Sequence, residues 1–114
     1  MEKIVKQTLL YDFYGELLTE HQRAIYEDVV FNDLSLSEVA EMQGISRQGV
    51  HDLIRRCDKI LIGYETKLHL IERFHQTKQL VEEMYQLMEK YQDSKDDSLM
   101  VTITELYHKV LKEI

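Results

Sequence analysis

Apolar residues recur at three- and four-residue intervals along nearly the whole chain, and short polar breaks divide them into six helical segments. In the first, Ile4, Leu9, Leu10, Phe13, Leu17 and Leu18 keep a helical period, with Val5 and Tyr14 on the same side. Gly15 weakens its last turn, by about 1 kcal/mol relative to alanine. Thr19-Glu20-His21-Gln22 then forms a capping box, in which the Thr19 hydroxyl accepts from the third helical N–H and the Gln22 side chain reaches back. A second helix is expected from Glu20 to Phe31, burying Ala24, Ile25, Val29 and Phe31. Asn32-Asp33 end it as turn residues.

Ser35 to Lys59 carries the most specific pattern. Ser35-Leu36-Ser37-Glu38 is a second capping box, and Val39, Ala40 and Met42 are the inward candidates of the helix it starts. Gly44 can take positive φ at the C-terminal stop. Ile45 is expected to plug the turn into the core, and Ser46 to cap the next helix. There Val50, Leu53, Ile54, Cys57, Ile60 and Leu61 make an apolar stripe. A small residue at 40, glycine at 44 and apolar residues at 45, 50 and 53 are the offsets of a helix-turn-helix. Gln43 departs from it, because an apolar residue usually precedes the turn glycine; either Met42 rotates into its place or Gln43 is half exposed.

Gly63 is the weak point before a long pattern. From Tyr64 to Tyr91 apolar residues fall at Tyr64, Leu68, Ile71, Phe74, Val81, Met84 or Tyr85, and Met88, close to a 3.5-residue period that Lys78 interrupts once. This predicts a helix of 25 residues or more, continuous with the fourth or kinked at Gly63. Gln92 to Ser98 reads as a polar connector, with Asp97 or Ser98 capping a last helix that presents Leu99, Ile103, Leu106, Tyr107, Val110, Leu111 and Ile114. That stripe must pack on something, and the long helix is the natural partner. The expected architecture is all-α, with a helix-turn-helix module over residues 1–63 and a helical extension over 64–114 through which two copies pair.

Composition supports helix throughout: the 114 residues include no proline and only four glycines. One cysteine excludes an internal disulfide and fits a reducing, cytoplasmic setting. No apolar run reaches membrane-spanning length, and acids interrupt the first stretch where a signal peptide would be apolar. A soluble protein with no membrane association is expected.

Net charge is -7, which opposes nucleic-acid binding because phosphate neutralisation supplies most non-specific affinity. The distribution softens this. Residues 1–34 hold three Lys/Arg against seven Asp/Glu and residues 64–114 hold seven against ten, whereas residues 35–63 hold four of each. The candidate nucleic-acid-binding residues are Ser46, Arg47, Gln48, His51, Arg55, Arg56 and Lys59. Arg47, Gln48 and His51 would meet base edges, Arg55, Arg56 and Lys59 phosphates, and Ser46 a phosphate at the helix start. The competing reading is a solvated basic face, paired with Asp52 and Asp58 through neighbouring turns. Gly49 counts against a reader, since it offers no side chain there, although it permits close backbone approach.

LTEHQRAIYEDVVFNDLSLSEVAEMQGISRQGVHDLIRRCDKIL resembles region 4 of bacterial sigma factors, in its LT..Q opening, its S..E.A...G.S core and its V...I.R....L close. The chain as a whole resembles the YlxM family of small bacterial proteins, through DFYGELLTEHQ, SLSEVAEMQGISRQGVHD and KILIGYETKLHL. That resemblance extends over roughly residues 7–75 and implies a DNA-binding regulator. Genes of the family lie beside those for the GTPases of the signal recognition particle, so it also implies a role in that pathway. DNA, the particle's RNA and its GTPase all remain open as the target.

Other chemistry is thinly supported. The histidines at 21, 51, 69, 75 and 108 sit on separate segments, with no i,i+4 pair for a metal. Cys57 lies in a core stripe and reads as an inert thiol. Glu82-Glu83 and Asp96-Asp97 have no cleft to shift their pKa values, and no glycine-rich phosphate loop exists. No cofactor and no enzymatic activity are expected. The tyrosines at 11, 14, 26, 64, 85, 91 and 107 could stack bases, but their acidic neighbours favour core or interface filling.

Overall fold

The computed structural model describes residues 2–114, which form six α-helices with no strand among them. These are α1 (Lys3–Tyr14), α2 (Glu20–Val30), α3 (Leu36–Gln43), α4 (Arg47–Leu68), α5 (Leu70–Ser94) and α6 (Ser98–Glu113). A 3₁₀ turn, Gly15–Leu17, follows α1. Two compact units divide between His69 and Leu70.

In the first unit local chemistry sets each helix start. Thr19 accepts from the Gln22 N–H at 3.1 Å while Gln22 Oε1 accepts from the Thr19 N–H at 3.0 Å. Ser35 and Glu38 make the same reciprocal pair. Gly44 ends α3 at φ 67°, where a Cβ would strain the backbone, and its N–H and that of Ile45 close the last turn of α3. Ile25, Val39, Ala40 and Val50 form the buried centre, with Val29, Leu34, Leu36, Leu53 and Ile54 packed around it. This is the helix-turn-helix core.

Aromatic side chains hold α1 against this core. Tyr14 and Tyr26 are the largest fully buried side chains, and each hydroxyl donates to a carboxylate of α4: Tyr14 to Glu65 and Tyr26 to Asp58, both at 2.6 Å. Tyr11 donates to Glu27 and stacks on Tyr26 at 5.5 Å between ring centroids. Phe31 tilts against both rings. Tyr14 also stacks on Tyr64, at 6.0 Å. Tyrosine suits these places because its ring buries apolar area while its hydroxyl finds an acceptor.

Several expectations about burial are overturned here. Ile4, Val5 and Leu17 are exposed, and Leu10, Tyr14 and Leu18 form the inward edge of the N-terminal segment. Ala24 faces solvent while Tyr26 takes the buried position. Met42 is 63% exposed and Ile45 41%, so neither fills the core at the turn, and Gln43 is half-buried. The helix passes through Gly63 without a break. Cys57, Leu61, Tyr64 and Glu65 carry its contacts across the glycine, which offsets the weak local propensity. It ends at His69, whose φ is 57°, so the division expected at residues 63 and 64 falls at 69 and 70.

In the second unit α5 and α6 pack as a hairpin. Gln76, Leu80 and Glu83 near the start of α5 share a groove with Lys109 and Glu113 at the end of α6, so the helices run antiparallel. The connector is shorter than expected, because Gln92, Asp93 and Ser94 continue α5. Asp97 occupies the N-cap position of α6 without a capping bond from its side chain, which accepts from the Tyr91 hydroxyl; Asp96 accepts from the Ser98 N–H and hydroxyl, which holds its carboxyl below the usual range. Only Ile103 and Leu106 are fully buried in this unit. Tyr107, Leu111 and Ile114, expected to be covered by α5, are exposed.

Candidate nucleic-acid interface

The candidate surface is built on α4. Ser46 starts the helix by accepting from the Gly49 N–H at 2.9 Å, which leaves its hydroxyl proton free to donate outward. Val50, Cys57 and Leu61 mark the buried edge. The exposed side carries two i,i+4 rows, the first running from the flank of that edge to its far side: Arg47, His51, Arg55 and Lys59 in one, Gln48, Asp52 and Arg56 in the other. All seven are exposed. At about 1.5 Å per residue the first row spans ~18 Å along the axis. The seven sequence-predicted site residues thus lie together on one helix and its cap.

Two surface depressions follow these rows. Leu36, Arg47, Gln48 and His51 line one, at the start of α4, and Asp52, Arg55, Arg56 and Lys59 line the other. A shallow apolar groove of about 370 Å³ adjoins the first, sharing Leu36 and His51 with it and running toward Lys3 and Ile4 on α1.

The acids near this face play different parts. Asp52 lies within it, accepting from Gln48 Nε2 at 3.0 Å, with His51 Nδ1 3.9 Å from the same oxygen. One base-reading candidate is therefore held by a neighbouring carboxylate. Asp58 does not pair with the basic face as expected. It points inward, accepting from Tyr26 and from Gln7 of α1, the latter at 3.2 Å. Burial, and then the Asp58 carboxylate, raise the Tyr26 phenol well above its ordinary value.

Gly49 also differs from expectation. It is half-buried on the flank facing the turn, where a Cβ would sit 3.1 Å from Ser46 Oγ and 3.8 Å from Ile45 Cδ1. Its role is to leave room for the capping hydroxyl, and the exposed rows lose no reading position to it. Cys57 is fully buried, and burial pushes its thiol up to about 11, so it is not a nucleophile at neutral pH. Sequence reasoning missed the Tyr–carboxylate contacts behind the face. Only the coincidence of tyrosines and acids on inward stripes hinted at them.

A family model described as "Putative helix-turn-helix protein, YlxM / p13 like" (UPF0122) matches residues 1–108. A UPF0122 protein of Clostridium botulinum is 45% identical over 101 residues, covering 88% of this chain and 93% of the relative. Its counterpart in Clostridium acetobutylicum is 38% identical over 104 residues, or 88% and 90% of the two chains. That of Thermoanaerobacter pseudethanolicus is 37% identical over 107 residues, or 94% and 92%. With the helix-turn-helix formed by α3, Gly44 and α4, and this match over nearly the full length, the chain belongs to the UPF0122 family of helix-turn-helix proteins.

Proposed function

We propose that this protein is a DNA-binding regulator that lays α4 into the major groove and acts in the cytoplasm as a homodimer paired through α5 and α6. The observation that carries the reading is the exposed row Arg47, His51, Arg55 and Lys59, on a helix whose start is fixed by Gly44 and Ser46. Arg47, Gln48 and His51 at the first turns meet base edges, and Arg55, Arg56 and Lys59 contact phosphates. Ser46 donates to a phosphate at the helix start. Four cations per copy give modest affinity, and pairing two copies raises it by local concentration.

A second reading has one observation in its favour. Between Ala24 and Ser46 there is no Lys or Arg and there are five Asp/Glu, so α3 brings Glu38 and Glu41 to the side where a helix-turn-helix crosses the DNA backbone. An adaptor that binds the GTPase of the signal recognition particle has no need of cations on α3, whereas the particle's RNA would meet the same acids.

Fluorescence anisotropy on a labelled duplex separates the two. Three cationic phosphate contacts, from Arg55, Arg56 and Lys59, predict an affinity loss of about 40-fold per copy between 50 and 200 mM salt, at a slope of about 0.9 per contact. Arg55→Glu combined with Arg56→Glu should abolish binding while circular dichroism stays unchanged. If the parent protein ignores duplex at 50 mM salt yet binds the particle's RNA or GTPase, the adaptor reading replaces the first.

A further inference from the structure

The α5–α6 hairpin leaves one side uncovered. Val81, Tyr85 and Met88 of α5 are 48%, 62% and 49% exposed, and Met100, Tyr107 and Leu111 of α6 are 44–50% exposed. On α5 the three lie roughly 100° around the helix from the inward line of Leu80, Met84 and Leu87, at about 100° per residue. On α6 the other three lie roughly 90° from Ile103, Leu106 and Val110, in the same rotational sense. Because the helices are antiparallel, similar rotations in the same sense carry both stripes to the same side of the hairpin. The six side chains therefore form one apolar face across two helices.

We infer that this face binds a second copy of itself, hairpin on hairpin and antiparallel, to close a four-helix bundle. The inference rests on the reading that the chain pairs through its C-terminal helices, and it fixes the face and the orientation. It does not depend on what α4 binds.

Three observations select the occupant and its direction. First, α5 has no fully buried residue and α6 has two, too small a core for a two-helix unit in water, and a four-helix bundle supplies the missing layer. Second, the face is nearly symmetric about its own mid-height. Leu80 lies beside the end of α6 and Tyr91 beside Asp97, so the level of Tyr85 on α5 corresponds to about residue 105 on α6. A two-fold axis at that level, in the plane of the face and across the helices, sets Val81 against Met88 of the other copy. The same axis sets Met100 against Leu111 of the other copy and Tyr85 against Tyr85. Self-complementarity of this kind is what an isologous dimer requires.

Third, charge chooses antiparallel. The loop half of the hairpin, residues 88–105, carries five Asp/Glu and two Lys, whereas the open half carries four acids and four bases. A parallel pairing would bring two acidic loop halves together. The antiparallel one lays each on a neutral open half. The face runs ~16 Å along α6, from Met100 to Leu111, and ~10 Å along α5, from Val81 to Met88. The chain enters α5 at Leu70, 15 residues before Tyr85, so the two entry points lie at opposite ends of the bundle, ~45 Å apart along its axis.

Sedimentation equilibrium and paired cysteine variants test this without nucleic acid. The full chain should sediment as a dimer at tens of micromolar, and Val81→Glu with Met88→Glu should sediment as a monomer with the packing of the buried tyrosines of the first unit retained, read from near-ultraviolet dichroism. If that variant unfolds, the cysteine pairs decide. Under mild oxidation a mixture of Val81→Cys and Met88→Cys chains should form a mixed disulfide, with neither forming one alone. Mixed disulfide between Val81→Cys and Leu111→Cys chains instead means a parallel bundle and overturns the orientation. A monomeric parent protein at 100 µM overturns the pairing itself, and leaves the DNA reading to its own anisotropy test.

Discussion

Tyr26 reaches from α2 to α4 and donates its hydroxyl to Asp58 at 2.6 Å, with its own ring fully buried. The contact decides the direction of an acid on the recognition helix. Asp58 would otherwise sit one turn from Arg55 and beside Lys59, cancelling part of the cationic row. Turned inward, it holds α1 and α2 to α4 through Tyr26 and Gln7, and leaves the row to Asp52 alone.

Tyr26→Phe removes the donor and leaves the half-buried carboxylate with Gln7 as its remaining side-chain partner. Hydrogen bonds to charged groups contribute about 1.5–3 kcal/mol, so urea unfolding should show a loss of about 2 kcal/mol at pH 7. Asp58→Asn should cost less, since an amide oxygen can still accept. A Tyr26→Phe protein as stable as the parent would mean that Asp58 gains nothing from the contact.

The two capping boxes, the Gly44 stop, the Ser46 cap and the apolar stripe of α4 were legible in the sequence because each is decided within four residues. The shared placement of the candidate residues on α4 and its cap was legible for the same reason. What was not legible depends on distant partners. Tyr26 outranks Ala24 for the buried place only because Asp58, 32 residues away, accepts its hydroxyl. Gly63 stays helical because Tyr14 stacks on Tyr64 and bonds to Glu65 on its far side. Exposure of Met42 and Ile45 likewise depends on how α3 and α4 cross, which periodicity alone does not fix.

Gly44→Ala tests the turn. At φ 67° a Cβ costs about 1 kcal/mol, and nothing lies within 4 Å of where it would go, so the penalty is backbone strain alone. Thermal unfolding should show a lower midpoint with no change in far-ultraviolet dichroism. Ser46→Ala should cost a similar ~1 kcal/mol through the lost cap. Gly49→Ala should cost less, because Ser46 Oγ can move a few tenths of an ångström from the new methyl.

Alkali should unfold the first unit earlier than its charge implies. Burial first, and then Glu27, push the Tyr11 phenol from 10.0 to about 12; burial first, and then Asp58, push the Cys57 thiol from 9.0 to about 11. Tyr26 is raised further, by burial first and then by its bond to Asp58. Each folded-state pKa lies above the unfolded one, so the unfolded chain releases these protons first. Their stabilisation is complete below pH 9 and is lost as pH rises, between 9 and 11 for the thiol and between 10 and 12 for Tyr11. Urea midpoints from pH 8 to 11.5 should fall in that window, and Tyr26→Phe should flatten the decline above pH 10. A midpoint independent of pH across it would contradict the buried environment of these groups.

Asp52→Asn should strengthen DNA binding if α4 is the reading element. The carboxylate lies inside the basic face, holds Gln48 through Nε2 and sits near His51. Its neutralisation raises the net charge of that surface by one and leaves Gln48 with a weaker, neutral acceptor from which a base edge can draw it, while the site is exposed enough that folding stability changes little. Because the charge is screened by salt, the gain should be severalfold at 50 mM and shrink toward nothing at 200 mM. Lys59→Ala provides the opposite control: it should weaken binding to all duplexes alike and lower the salt slope by about 0.9. Anisotropy titrations of both variants at the two salt concentrations give the result. If Asp52→Asn leaves affinity unchanged at 50 mM while Lys59→Ala reduces it, DNA tracks only the C-terminal part of the row, and Gln48 and His51 do not face the bases.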